Sequence, residues 1–291
     1  MLDQKTNAPL RTKDGSIRVA FVKQVTRAVD AGDVEALRAL VGDLHESDLG
    51  AVLVALPAEK RPRLVELLGL HFDFTALTEV DDAVRDEILE ALRPRTVAQG
   101  VGDIESDDAV AILEDMPTAE RAEILKQLPA TERHSLSRSL DYPEDSAGRR
   151  MQTEFIAVPP DWNVGQAIDY MRETAELPER FYELYVVDAS HKFLGAVPLD
   201  RLSRSKRPVP ISDLMEAERR RVRADQDQEE VARLFQRYDL VAAPVVDADD
   251  RLVGVITFDD IADVIEEEAE EDIKALGGVS HDEELSDTVW T

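Results

Sequence analysis

Positions 259–272 read Asp-Asp-Ile-Ala-Asp-Val-Ile-Glu-Glu-Glu-Ala-Glu-Glu-Asp, so nine of fourteen residues are acidic and none is basic. The carboxylates of Asp260, Asp263, Glu267 and Glu271 recur three and four positions apart. Like charges at that spacing repel one another on a helix. Ile261, Val264, Ile265 and Ala269 fall at helical spacing and predict one narrow face that can pack. Oxygen donors of this kind suit hard cations. Mg²⁺ keeps several of its waters and needs no tight all-protein cage. At an effective dielectric of about 20, two charges roughly 4 Å apart interact by about 4 kcal/mol. Packing this stretch against further carboxylates is therefore costly alone and favourable with a cation between them. Read from its residues only, the run equally fits a solvated face.

Other chemistry is poorly represented. There is no cysteine among the 291 residues, which excludes disulfides and thiolate sites. The five histidines (45, 71, 134, 191 and 281) are scattered, with no pair at metal-ligand spacing. Ser135, Ser137 and Ser139 lack the glycine setting of a nucleophile elbow, and no phosphate loop is present. No catalytic constellation results, so an enzyme is not expected. The formal charge of −28 argues against nucleic acid and against anionic lipid, and it favours cations. Arg204-Ser205-Lys206-Arg207 and Arg219-Arg220-Arg221 are the only basic clusters; they could attract a phosphate, and offsetting nearby acids is the favoured reading. No apolar run approaches the roughly 18 residues of a membrane span, and the first 15 residues lack a signal-peptide core.

The elements around these residues form two blocks. Residues 1–16 read as a disordered leader. Helical spacing begins near Ile17, with breaks at Gly32-Asp33 and Gly42-Asp43. A repeat follows: the stretch 48–61 matches 108–121, and 128–133 is a partial third copy. Each copy reads as a capping Asp, a short helix, a Leu/Met-Pro break and a new helix with Pro near its first turn. Residues 17–142 are therefore expected to form an all-α, superhelical domain. From 143 a second repeat begins. Met151 to Asp161 aligns with Met215 to Asp225, Tyr185-Val186-Val187-Asp188 with Pro244-Val245-Val246-Asp247, and Leu194-Gly195-Ala196-Val197 with Val253-Gly254-Val255-Ile256. Each copy reads β-α-β-β-α, spanning 143–206 and 207–265, and an acidic helix and tail fill 266–291. The fold class is α+β multidomain.

The second repeat resembles a tandem pair of CBS domains. Both copies keep V-V-D, then L/V-G-hydrophobic-hydrophobic, then a helix start bearing an acid. The helical block, the pair and the acidic exit helix together resemble the cytosolic region of MgtE-family magnesium transporters. The residues carrying that resemblance include 227–234, 244–247, 251–254 and 271–277. It implies a regulatory Mg²⁺ sensor at the cytoplasmic face of the membrane that dimerises through its CBS pair. It also implies a connecting helix leading to a transmembrane domain near residues 287–291, where Trp290 suits a membrane interface.

The resemblance further implies Mg²⁺ ligands at Asp107, Asp227, Glu229, Asp239, Asp260, Asp263, Glu268, Glu271 and Asp272. Two departures stand out: acidic positions of the family's helical domain are Ala111 and Thr75 here. An adenine nucleotide such as ATP is the other implied ligand. Thr257-Phe258-Asp259-Asp260 fits the T-x-x-D pattern, while the first copy has Pro198-Leu199-Asp200-Arg201. Glu183 and Leu240 stand where an aromatic could stack on the base. Thr257 and Asp260 serve equally well as a helix cap. A free-standing CBS protein that binds nucleotide and controls a separate enzyme is the alternative to the transporter reading.

Overall fold

The computed structural model describes residues 10–276 apart from 176 and 179, and for residues 266, 267 and 270–276 it describes the helix alone. Two compact units divide between Arg138 and Ser139. The first is helical: α1 (Val19–Ala31), α2 (Val34–Val41), α3 (Glu46–Ala55), α4 (Arg61–Leu68), α5 (Asp82–Ala91), α6 (Pro94–Gly102), α7 (Ser106–Leu113), α8 (Thr118–Leu125) and α9 (Ala130–Leu140), with short 3₁₀ turns between some of them. Gly32 ends α1 in the left-handed conformation (φ 64°), and its N–H closes on the carbonyls of Ala28 and Val29. Residues 10–16, placed by sequence in the leader, form a turn: Arg11 bridges to Ile17, and its guanidinium reaches Asp48 at 2.6 Å.

The repeat of short helices is present, but its acids do a different job from the one expected. The cap residues are His45 for α3 and Glu105 for α7. Asp48 and Asp108 fall in the first turn instead, where a carboxylate meets the positive end of the helix dipole. Pro57 and Pro117 stand at the cap position, one residue before the new turn. The repeat's arginine has a structural role in both copies. Arg61 donates to the carbonyls of Leu53, Val54 and Leu56, and Arg121 to that of Glu114. A guanidinium thus closes the exposed carbonyl end of the preceding helix.

The second unit runs α10 (Ala147–Arg150), β1 (Ala157–Val158), α11 (Val164–Glu173), β2 (Glu183–Val187), β3 (Phe193–Pro198), α12 (Leu199–Ser203), α13 (Ile211–Leu214), β4 (Val222–Arg223), α14 (Gln228–Tyr238), β5 (Ala242–Val246), β6 (Leu252–Thr257) and α15 (Phe258–Leu276). Its sheets are β1-β2-β3 and β4-β5-β6, each with one parallel and one antiparallel pair. Alternate residues of each strand face opposite ways. Leu184, Val186 and Val197 pack on the helices of the first repeat, and Ala243, Val245 and Ile256 on those of the second. Tyr185, Val187, Phe193 and Ala196 meet Ala242, Val246, Leu252 and Val255 in a core between the sheets. Both faces are buried, which is why the strands read as near-continuous apolar runs.

The letters that recur in the two copies have physical reasons. Asp188 Oδ1 accepts from the N–H groups of Ser190 and Lys192, and Asp247 Oδ1 from those of Asp249 and Arg251. These bonds close tight turns in which His191 and Asp250 take φ of 61° and 63°. Each turn then bonds the other: Phe193 N–H donates to Asp250 and Leu252 N–H to His191. The glycines mark a crossover. A Cβ on Gly254 would lie 2.6 Å from Met151 Sδ and 2.7 Å from the Gln152 carbonyl, and one on Gly195 would lie 2.6 Å from Met215 Cγ and from the Glu216 carbonyl. The leading segment of each repeat therefore lies on the hairpin of the other, fixed by reciprocal backbone bonds between Gln152 and Val255 and between Glu216 and Ala196. Gly254→Ala and Gly195→Ala should each cost about 1–3 kcal/mol by overpacking. Urea denaturation will check this, and a loss below about 0.5 kcal/mol would contradict the crossover packing.

Candidate functional site

The acidic stretch is helical throughout, within α15. Ile261 and Val264 are buried in the core of the second β-α-β-β-α repeat and Ile265 packs against it. Ala269, expected on the same face, is exposed. The apolar stripe is thus one turn shorter than its spacing suggests, because the core it packs on ends there. α15 lies against α14 and runs antiparallel to it. At one end Phe258 N–H donates to the Val241 carbonyl, just beyond α14. At the other, Glu268 Oε1 accepts a 2.9 Å bond from Gln228 Nε2 at the start of α14.

This pairing sorts the candidate ligands. Asp239 closes α14 in the left-handed region (φ 49°) and is exposed, near the start of α15. Asp227 and Glu229 lie at the opposite end of α14, beside Glu268. Twelve residues at 1.5 Å each separate the ends by about 18 Å. One ion cannot touch both Asp227 and Asp239. Asp227 is the N-cap, accepting from the N–H groups of Glu229 and Glu230. In the first repeat the equivalent position is the neutral cap Asn163, so capping alone explains the residue type. Glu229 holds Arg233 at 2.7 Å one turn on. Asp260 Oδ2 accepts from both the N–H and the hydroxyl of Thr257, at 2.9 and 2.8 Å. Asp263 is exposed on α15. Glu271 and Asp272 belong to that helix, and their side chains lie outside the described residues. Among the described residues no three acidic or histidine side chains converge to hold a metal. What they offer is a spread of oxygen donors suited to a hydrated hard cation.

The helical unit contains a tighter group, which sequence reasoning found only in part. Asp107 and Asp108 open α7, and Asp108 Oδ2 accepts from Thr75 Oγ1 at 3.2 Å. Burial first, and the adjacent Asp107 charge second, push the Asp108 carboxyl up to about 8, with Glu105 and Asp73 adding to the effect. Thr75 supplies the opposing hydrogen bond. The signal in the sequence was the Asp-Asp doublet at a repeat boundary.

A second group joins the two repeats of the second unit. Glu183 is buried and pairs with Arg219 at 2.8 Å. Burial raises its carboxyl above the ordinary range against the pull of Arg219, and the Tyr185 phenol is raised well above its own by burial and by the Glu183 charge. The neighbouring cleft, which Thr257 lines with Phe155, Tyr182 and Tyr185, has a cavity volume of only about 10 Å³. An open groove lined by Glu216, Arg219, Arg220, Tyr238 and Leu240 offers about 520 Å³. There the Arg220 guanidinium stacks 3.3 Å above the Tyr238 ring. Two other residues of the basic clusters are paired with acids: Arg207 with Asp169 at 2.5 Å and Arg221 with Asp250 at 3.5 Å.

Comparison with known proteins gives the lineage. The family described as MgtE intracellular N domain matches residues 44–145, and the CBS domain matches 147–206 and 211–267. The crystal structure of the cytosolic domain of the Mg²⁺ channel MgtE in complex with ATP is 30% identical, with a TM-score of 0.75, covering 84% of this chain and 99% of that one. The chain belongs to the MgtE family. The magnesium transporter MgtE of Thermus thermophilus is 33% identical over 258 residues, covering 87% of this chain and 57% of that protein. The Bacillus subtilis magnesium transporter MgtE is 29% identical over 251 residues, at 86% and 56%. The crystal structure of the soluble part of a magnesium transporter is 27% identical with a TM-score of 0.75, covering 86% and 98%. This MgtE-family chain therefore spans a little over half the length of the curated relatives it matches. Among the described residues no helix is long and apolar enough to cross a membrane.

The Asp108 environment makes a pH prediction. A carboxyl raised from 3.8 to about 8 contributes stability that is fully present below pH 4 and is lost as pH rises through about 8. Asp108→Asn keeps an acceptor for Thr75 and removes the charge. In chelator, its urea midpoint should exceed wild type at pH about 9 and match it near pH 4. Equal shifts at both pH values would refute the assignment.

Proposed function

We propose that this chain is the Mg²⁺-sensing regulatory region of an MgtE-like magnesium transporter or channel, non-enzymatic and acting at the cytoplasmic face of the cell membrane. The observation that carries this reading is the seating of α15. The most acidic helix of the chain is anchored on the second CBS domain by Ile261 and Val264. Its charge is thereby delivered to a fixed place rather than left in a free tail. In this reading Asp107, Asp227, Glu229, Asp239, Asp260, Asp263, Glu268, Glu271 and Asp272 supply oxygen atoms to hydrated Mg²⁺. Ion binding relieves carboxylate repulsion and draws the helical domain and connecting helix onto a CBS homodimer, favouring a closed pore in the chain's own transmembrane domain. The exposed apolar side chains Tyr182, Val241 and Phe258 on the CBS unit support the homodimer.

The test is limited proteolysis of residues 143–150 together with hydrodynamic size, at constant ionic strength. Millimolar Mg²⁺ should slow cleavage and compact the protein. If neither changes, the sensing role is wrong. Asp239→Asn tolerates the left-handed backbone and Asp227→Asn keeps the cap, so each removes charge with little cost in fold. Each should raise the Mg²⁺ concentration at half-protection by about two- to tenfold.

A second reading, adenine-nucleotide binding, is supported by the open groove carrying Arg220, Tyr238 and Leu240. It fits either the transporter region or a free-standing CBS protein controlling a separate enzyme. The solved cytosolic domain with ATP is a relative in which the ligand was seen. In the T-x-x-D pair, Thr257 and Asp260 bond each other, so a nucleotide there must compete with the cap. Calorimetry with ATP should show binding that weakens at least tenfold in Arg220→Ala. Unchanged affinity would remove the groove from consideration.

A further inference from the structure

Gln228 is a polar side chain that the sensing proposal does not use, and it is 95% buried at the head of α14. Its carbonyl oxygen accepts a 2.9 Å bond from Arg150 Nε, and its amide nitrogen donates at 2.9 Å to Glu268 Oε1. The orientation of the amide is dictated by its neighbours. The Arg150 guanidinium can only donate and the Glu268 carboxylate can only accept. The backbone of Gln228 is fixed as well, since its N–H donates to the Asp145 carbonyl. Around it the entry segment is pinned by Ala147 N–H to Gln226 and Gly148 N–H to Ala224.

Three segments therefore meet at one amide: α10, by which the chain enters the CBS unit; α14; and α15, by which it leaves. The position matters because of where apolar packing stops. Ile265 is the last apolar side chain of α15 described against the core, and Ala269, one turn on, is exposed. Glu268 lies between them and accepts the Gln228 hydrogen bond. In the first repeat the equivalent of Gln228 is Val164, buried in an apolar core, and α12 there ends at Ser203. The polar side chain occurs only in the copy whose closing helix extends past the fold.

We propose that Gln228 is a positioning residue, and that the chain Arg150–Gln228–Glu268 is a latch that sets the course of α15 beyond Ile265 and ties it to the entry segment. Glu268 then serves α15 as the acceptor of the latch, whether or not it also meets a cation. The latch acts without any metal, so its test is run in chelator and is independent of the Mg²⁺ reading.

The measurement is amide hydrogen exchange of the whole chain. Gln228→Leu should speed exchange of residues 266–276 about tenfold, the effect of losing one charge-assisted hydrogen bond, while β5 and β6 keep wild-type rates. Gln228→Glu, which sets two carboxylates face to face, should speed it at least as much. Combining Gln228→Glu with Glu268→Gln restores an acceptor for Arg150 and a donor–acceptor pair with α15, and should return exchange to within about twofold of wild type. A merely structural role for Gln228 would leave the double variant as fast as Gln228→Glu alone. That result overturns the proposal, and so does wild-type exchange of residues 266–276 in Gln228→Leu. If Gln228→Leu loosens β5 and β6 too, the charge-exchanged pair alone decides.

Discussion

The crossover of leading segments is the interaction on which the CBS unit depends. Met151 lies on Gly254 and Met215 on Gly195, each with its own pair of backbone bonds. Neither sheet of three strands can bury both faces alone, and strands buried on both faces need a cover on each side. The exchange brings the sheets together at Tyr185, Val187, Val246 and Val255 and makes the two repeats one packed object. Everything carried by the second repeat, including the acidic helix, inherits its position from this contact.

The second constraint is electrostatic. With 62 acidic and 34 basic side chains, the chain cannot neutralise itself by pairing. Its arginines are spent on particular tasks. Arg61 and Arg121 close helix ends, Arg219 accompanies the buried Glu183, and Arg150 holds Gln228. The surplus of carboxylate collects at the start of α7 and along α15. At α7 the response is protonation: Asp108 keeps its proton well above the ordinary carboxyl range. Asp239, an exposed carboxylate, lies open to water, which softens the repulsion of like charges around it. The two regions represent different ways of storing the same unfavourable charge.

The architecture was legible because both repeats are spelled in local chemistry. Gly-Asp breaks, Leu-Pro boundaries, V-V-D turns and L/V-G strands each have one physical reading, and each occurs at least twice. The candidate site was less legible. Asp227 was read only as a ligand, and its place as the cap of α14 was already suggested by the equivalent Asn163. Asp48 and Asp108 looked like caps and are first-turn residues. Ala269 looked buried because spacing reports a face but not where the partner surface ends. Gln228 and Arg150 were invisible, since neither type carries a chemistry of its own and the bond between them spans 78 positions. Asp108 was missed as a perturbed carboxyl because burial, the largest cause of its shift, is a tertiary property.

The unequal lengths of α12 and α15 carry a mechanical consequence. A helix of five residues ends where its support ends, whereas α15 continues eleven residues beyond Ile265, about 16 Å. It is a cantilever clamped at its root. Tilting the clamp by roughly 10° displaces the far end by about 3 Å, and the end moves further than any atom near the root. Small rearrangements around Val264 are thereby converted into larger ones at Leu276, with no need for the CBS core itself to deform.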